Sequence, residues 1–188
     1  MLASGRGSNL QAILAAIDRG DLHARVVVVI SNNSGAGALD LARAAGIDAL
    51  HISSRTHADP DAAILDALRE RDVDLLVLAG WMKRIDARVV AAYEGRAVNI
   101  HPAPLPRFGG HGMWGHHVHE AVIAAGVQES GPTVHRVTEH YDEGEVLAHR
   151  PVPVLEGDTP DTLAERVLAA EHDLYWRAIT DLIARRSP

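Results

Sequence analysis

With 188 residues, the chain is long enough for one domain with a sizeable core. Its hydrophobic content of 47% is mainly aliphatic, with a single Phe, which argues against disorder, and its formal charge of −7 gives nucleic-acid phosphates little long-range attraction. Cysteine is absent, excluding disulfides, thiolate metal ligands and a cysteine nucleophile; no apolar run reaches the ~18 residues of a membrane span. Together with an N-terminus unlike a signal peptide, these features predict a cytoplasmic protein acting on small molecules, with neither nucleic acid nor membrane as partner.

In chain order, Leu10, Ile13, Leu14 and Ile17 recur at helical spacing, predicting a first helix capped by Ser8 or Asn9 and ended by Gly20. Residues 25–30 form a β-branched run of the kind buried on both faces in a parallel sheet. A helix over 36–45, a short strand near 48–52 and a helix opened by Asp59-Pro60 follow. Residues 73–79 and 97–100 read as further buried strands, with a helix over 86–93 between them. Such alternation predicts βαβ units, with the strands at 26–30, 73–79 and 97–100 adjacent in the core.

Beyond Pro106 the pattern changes. Gly109, Gly110, Gly112 and Gly115 predict a flexible loop, residues 116–125 a helix, and 133–137 and 146–154 strands with antiparallel pairing. A long terminal helix starts at Thr159-Pro160 and buries Leu163, Val167, Leu174, Ala178 and Leu182. The expectation is a single domain over 1–188, of class α/β, with a Rossmann-like, mostly parallel sheet flanked by helices and an antiparallel extension in the C-terminal half.

Several constellations carry chemistry. Gly5-Arg6-Gly7-Ser8-Asn9 precedes a helix, so its amides form a natural phosphate site, although an ordinary capped turn has the same pattern. Asn99 and His101 alternate at the end of a predicted strand, where ligands sit in open α/β sheets. His111, His116, His117 and His119 beside Glu120 invite a metal reading, but at a helix start positions i and i+2 diverge, which disfavours it. His135 sits on a predicted strand, either supporting a site or hydrogen-bonded in the interior. Asp142 lies on an acidic, Gly-containing loop; beside His101 it would favour the imidazolium and orient the ring.

With these residues in view, the chain resembles the phosphoribosylglycinamide formyltransferases along nearly its whole length. The resemblance rests on an ordered set: Ser4-Gly5-Arg6-Gly7-Ser8-Asn9-Leu10, Leu78-Ala79-Gly80-Trp81-Met82, Asn99-Ile100-His101-Pro102, Gly131-Pro132-Thr133-Val134-His135, Tyr141-Asp142-Glu143-Gly144 and Glu171-His172. It implies an enzyme of purine biosynthesis that moves a formyl group from 10-formyltetrahydrofolate to the amine of phosphoribosylglycinamide, with no metal. By the same carry-over, Asn99, His101 and Asp142 are the catalytic trio, supported by His135. Gly7, Ser8 and Asn9 hold the substrate phosphate and Glu171 touches the riboside. Met82, Lys83, Arg84 and Ile85, with Thr138, Glu139, His140 and Tyr141, form the pterin pocket.

Three departures stand out. Only Met1-Leu2-Ala3 precedes the glycine loop where the family has a full strand, which implies a natural start upstream and reduced stability, because three residues pair poorly. Ala103-Pro104-Leu105-Pro106 replaces the commoner Ser-Leu-Leu-Pro, and Trp176 stands where Pro is frequent, leaving the last helix unbroken. Formyltetrahydrofolate hydrolase and methionyl-tRNA formyltransferase share the trio but carry an added domain for which this chain has no room.

Overall fold

The computed structural model describes residues 1–185. Two compact units divide the chain, Met1–Asn99 and Ile100–Pro188.

The first unit runs α1 (Ser8–Asp18), β1 (Val28–Ser31), α2 (Gly37–Ala44), β2 (Asp48–His51), α3 (Pro60–Arg69), β3 (Leu76–Ala79) and α4 (Ala87–Ala92), and leads into β4 (Ala97–His101), which crosses the division. The β-branched run becomes β1, with Val28, Val29 and Ile30 wholly inaccessible. Two helix starts are specified by side chains and proline geometry: Asp59 caps the Ala62 amide at 3.0 Å ahead of Pro60, and Asp86 caps the Arg88 amide at 2.8 Å. α1 differs from expectation, for its cap is Gly7 and not Ser8 or Asn9.

β1 pairs with β2 in parallel, Val28 opposite Asp48 through Ser31 opposite His51. The expected adjacency of β1 and β3 is corrected by Leu2, which bridges both Ile30 and Leu78 in parallel. Its neighbours use their peptide groups on both sides: Ala3 N donates to Ile30 O at 3.0 Å and Ile30 N to Met1 O at 2.9 Å, while Leu2 N donates to Val77 O at 2.9 Å and Ala79 N to Leu2 O at 3.0 Å. Met1, Leu2 and Ala3 are therefore buried between β1 and β3, with Leu2 bonded through both its N–H and its carbonyl despite the brevity of the segment. β3 is hydrogen-bonded to β4, with Leu76 N donating to Arg96 O at 2.8 Å.

The second unit comprises α5 (His116–Ala124), β5 (Glu129–Ser130), β6 (Thr133–Arg136), β7 (Val146–His149), β8 (Val152–Pro153) and α6 (Pro160–Ala184). The antiparallel extension is present as β6–β7, Thr133 opposite His149 and Val134 opposite Ala148, with an irregularity at His135; β5 and β8 pair separately. Its core joins Ala103, Phe108, Val118, Val122, Val152, Leu163 and Val167. α6 is closed by reciprocal Thr159 and Thr162 hydrogen bonds and runs unbroken past Trp176.

Candidate active site

His101, the last residue of β4, is 4% exposed, and Nε2 lies 2.7 Å from the Phe108 carbonyl oxygen. A carbonyl only accepts, so the imidazole carries a proton on Nε2. Nδ1 faces Asp142 Oδ2 at 3.6 Å, beyond hydrogen-bond length. Asp142 comes from the turn between β6 and β7, where its backbone is left-handed at φ 56, a conformation Asp tolerates better than most residues. Its Oδ2 also accepts from Gly110 N at 3.0 Å, and its Oδ1 lies 3.4 Å from His135 Nε2. The other nitrogen of His135, Nδ1, lies 2.9 Å from the Arg136 carbonyl oxygen. One carboxylate thus faces two imidazoles.

Burial dominates the acidity of His101 and lowers its pKa; Asp142 and the Phe108 carbonyl work in the opposite direction without overcoming it. For Asp142, burial pushes upward, but the hydrogen bond from His135, the charge of His101 and the Gly110 amide together hold the carboxyl below its ordinary range. Burial thus biases the ring towards its neutral form while its neighbours bias Asp142 towards the carboxylate, a combination suited to receiving a proton during a reaction.

Asn99 occupies the alternate position of β4 from His101 and is half-buried. In the first unit, Gly7 at φ 83 caps α1 with no side-chain cap, and the first turn of the helix itself carries no acidic residue, a composition compatible with an anion at the helix start. A Cβ on Gly7 would lie 2.8 Å from Ala38 Cα, which accounts for glycine there. Met82, Lys83 and Arg84 are exposed and Ile85 half-buried in the loop between β3 and α4, where Met82 N donates to Ser4 Oγ at 3.0 Å. In the second unit, Thr138, Glu139, His140 and Tyr141 are exposed on the loop leading to Asp142, with Thr138 Oγ1 bonded to His140 O at 3.1 Å. Glu171 is a buried carboxylate on α6.

On α5, the histidines separate as helical geometry demands. His117 is exposed and 3.2 Å from Glu120, whereas His119 is buried, and among the described residues its Nδ1 has no hydrogen-bond partner. Burial, then His116 and His101, lowers the His119 pKa to about 4. Among the described residues no group of three or more such side chains is arranged to hold a metal ion. Sequence reasoning missed the Phe108 carbonyl and the Gly110 amide, because main-chain groups leave no residue-type signature; the paired glycines at 109 and 110 were the one available signal.

The sequence pattern of the formyl transferase family matches residues 1–179. A chloroplastic phosphoribosylglycinamide formyltransferase of Vigna unguiculata is 43% identical over 190 residues, covering 99% of this chain and 61% of the plant protein. The corresponding Arabidopsis thaliana protein is 39% identical and 65% covered, so the chain spans rather less than two thirds of these plant relatives. Glycinamide ribonucleotide transformylase 1 from Symbiobacterium toebii superposes with a TM-score of 0.91 at 41% identity, over 98% of this chain and 86% of that one. Phosphoribosylglycinamide formyltransferase from Bacillus halodurans does so with a TM-score of 0.91 at 33% identity, over 99% and 95%. A family match across nearly all the chain, joined to a strand-end histidine facing a loop carboxylate, leaves one conclusion: the chain belongs to the formyl transferase family.

Proposed function

We propose that this chain transfers the formyl group of 10-formyltetrahydrofolate to the amine of phosphoribosylglycinamide, a step of purine biosynthesis. The observation that carries the reading is the carboxylate of Asp142 set 3.6 Å from the buried ring of His101, at the end of the strand that also bears Asn99. The names of the relatives from Vigna unguiculata and Bacillus halodurans point to the same acceptor.

The substrate amine attacks the formyl carbon, forming a C–N bond, and charge collects on the formyl oxygen and the attacking nitrogen. Asn99, a neutral donor, stabilises the oxyanion, helped by the positive charge His101 gains once it has taken up a proton. The ammonium loses its proton to the His101–Asp142 pair, directly or through water, and the folate nitrogen regains one as its bond to the formyl carbon breaks. Proton count is unchanged over the cycle. His135 supports Asp142 from its second oxygen.

In the same reading, the amides of Gly7, Ser8 and Asn9 hold the acceptor phosphate at the N-terminus of α1, and Glu171 contacts the riboside. Main-chain groups of Met82, Lys83, Arg84 and Ile85, and of Thr138, Glu139, His140 and Tyr141, receive the pterin. A cytoplasmic setting is retained as part of the proposal on sequence grounds; the names of the plant relatives place those proteins in the chloroplast.

Consumption of 10-formyltetrahydrofolate by the purified chain tests this directly. Loss of the formyl group should depend on phosphoribosylglycinamide and fail with the unphosphorylated riboside. Formate release without acceptor would make the chain a hydrolase instead.

A further inference from the structure

The tripeptide Phe108-Gly109-Gly110 touches both members of the catalytic pair with main-chain atoms of opposite character. Its first residue offers a carbonyl to His101 Nε2 at 2.7 Å, and its third offers an N–H to Asp142 Oδ2 at 3.0 Å. We propose that this segment is a positioning element for formyl transfer: it keeps one proton of His101 on Nε2 and holds Asp142 as a carboxylate, so that the proton released in the reaction is received between Nδ1 and Oδ2. The assignment deepens the transferase reading above and rests on it for its link to turnover.

The geometry permits one tautomer. With the proton on Nδ1, the lone pair of Nε2 would face a carbonyl oxygen at 2.7 Å, two acceptors at hydrogen-bond distance. With it on Nε2, the lone pair of Nδ1 faces the carboxylate across 3.6 Å, a gap wider than a hydrogen bond, as two acceptors require. That gap is then where a proton is bound with gain on both sides. The Gly110 N–H already stabilises the negative form of Oδ2 and opposes transfer of the proton onto Asp142 itself.

The segment is fixed firmly enough to impose this. The Phe108 ring is buried in the second unit's core with Ala103, Val118, Val122, Leu163 and Val167, and its amide donates to Pro104 O at 3.0 Å. Gly110 O accepts from Met113 N at 3.1 Å. Two glycines answer two separate demands. A Cβ at Gly109 would lie 2.9 Å from Asp142 Cβ and 2.5 Å from Leu105 Cδ2, so only glycine lets the carboxylate approach. Gly110 holds φ at 96, which other residues rarely adopt. The titratable groups bearing on His101 are Asp142 from the turn after β6, His135 from β6 and His119 from α5.

Nitrogen-15 NMR of the His101 ring in the full, substrate-free chain is the primary test. A protonated-type shift at Nε2 and an unprotonated-type shift at Nδ1, at a pH where the ring is neutral, are expected. The reverse tautomer would overturn the assignment, whatever the chain's activity. Gly109→Ala supplies the kinetic arm. Displacing Asp142 by a fraction of an ångström to about 1 Å should cost ~100-fold in kcat with little change in the KM for the phosphorylated acceptor. It should also move the pH–rate limb of the pair. Wild-type kcat with an unmoved limb would contradict the proposal. Should Gly109→Ala fail to fold, the wild-type tautomer decides alone. Because that measurement uses no substrate, failure of the transferase reading and failure of the proton assignment are separately visible.

Discussion

Oδ2 of Asp142 lies 3.6 Å from Nδ1 of His101, and nothing in the local sequence around either residue requires it. Asp142 is delivered by the turn after β6, held by the Gly110 amide and backed by His135 through its other oxygen. The charge of Asp142 raises the proton affinity of His101 against the opposing effect of burial. Asp142→Asn should preserve the shape while removing that charge. The basic form of His101 then persists to lower pH, so the pH–rate limb moves down and kcat falls. His101→Ala should lose ~100–10,000-fold in kcat, the usual worth of an acid–base group, with the melting temperature little changed.

Asn99 lies on the strand that ends at His101, and the proposed mechanism gives it the role of a hydrogen-bond donor. Asn99→Ala should reduce kcat by ~100–1,000-fold through loss of oxyanion stabilisation, and acceptor KM should change far less. Equal losses in binding and turnover would make Asn99 a ground-state contact.

Gly7 combines a left-handed backbone with contact against Ala38, so substitution there has two effects that must be separated. Gly7→Val should lower the melting temperature and raise the KM for the phosphorylated acceptor. Affinity for the folate, measured with an unreactive analogue on the folded fraction, should hold. Collapse of folate affinity with unchanged acceptor affinity would exchange the two pockets.

His119 predicts acid sensitivity. Its pKa falls to about 4 on folding, so between that value and its ordinary 6.5 the unfolded chain binds a proton that the folded chain does not. Stability from this group is therefore intact above pH 6.5 and declines as pH falls towards 4. At pH 5 the loss is about 2 kcal/mol at most. Denaturant titrations of His119→Leu at pH 7 and pH 5 should show a smaller acid loss than wild type by up to that amount; identical losses would remove His119 as a cause.

Much of the fold was legible because local physics and tertiary context agree. The β-branched run at Val28–Ile30, the Asp59-Pro60 and Thr159-Pro160 helix starts and the aliphatic face of α6 each imply their element without help from neighbours. The misplacement of β1 beside β3 has a specific origin: Met1–Ala3 is too short to register as a strand by pattern, yet every central peptide group in it is bonded on one side or the other. β5 and β8, two residues each, escaped for the same reason. In the site, Asn99, His101 and Asp142 stood out by residue type and by the ordered motifs around them. The main-chain groups beside His101 and Asp142, Phe108 O and Gly110 N, did not, because every residue has a carbonyl and nearly every residue an amide. His119 was visible as one of four clustered histidines, but its burial, against the exposure of His117, depends on how α5 is seated.

The most direct test of the central claim follows the formyl carbon itself. Purified chain is given 10-formyltetrahydrofolate labelled at that carbon, together with phosphoribosylglycinamide, and the label is located by mass spectrometry. The account predicts label in the amide of the formylated acceptor, in one-to-one amount with tetrahydrofolate formed, and almost none with His101→Ala. Label recovered as formate, or transfer that proceeds at the wild-type rate in folded His101→Ala, would contradict it.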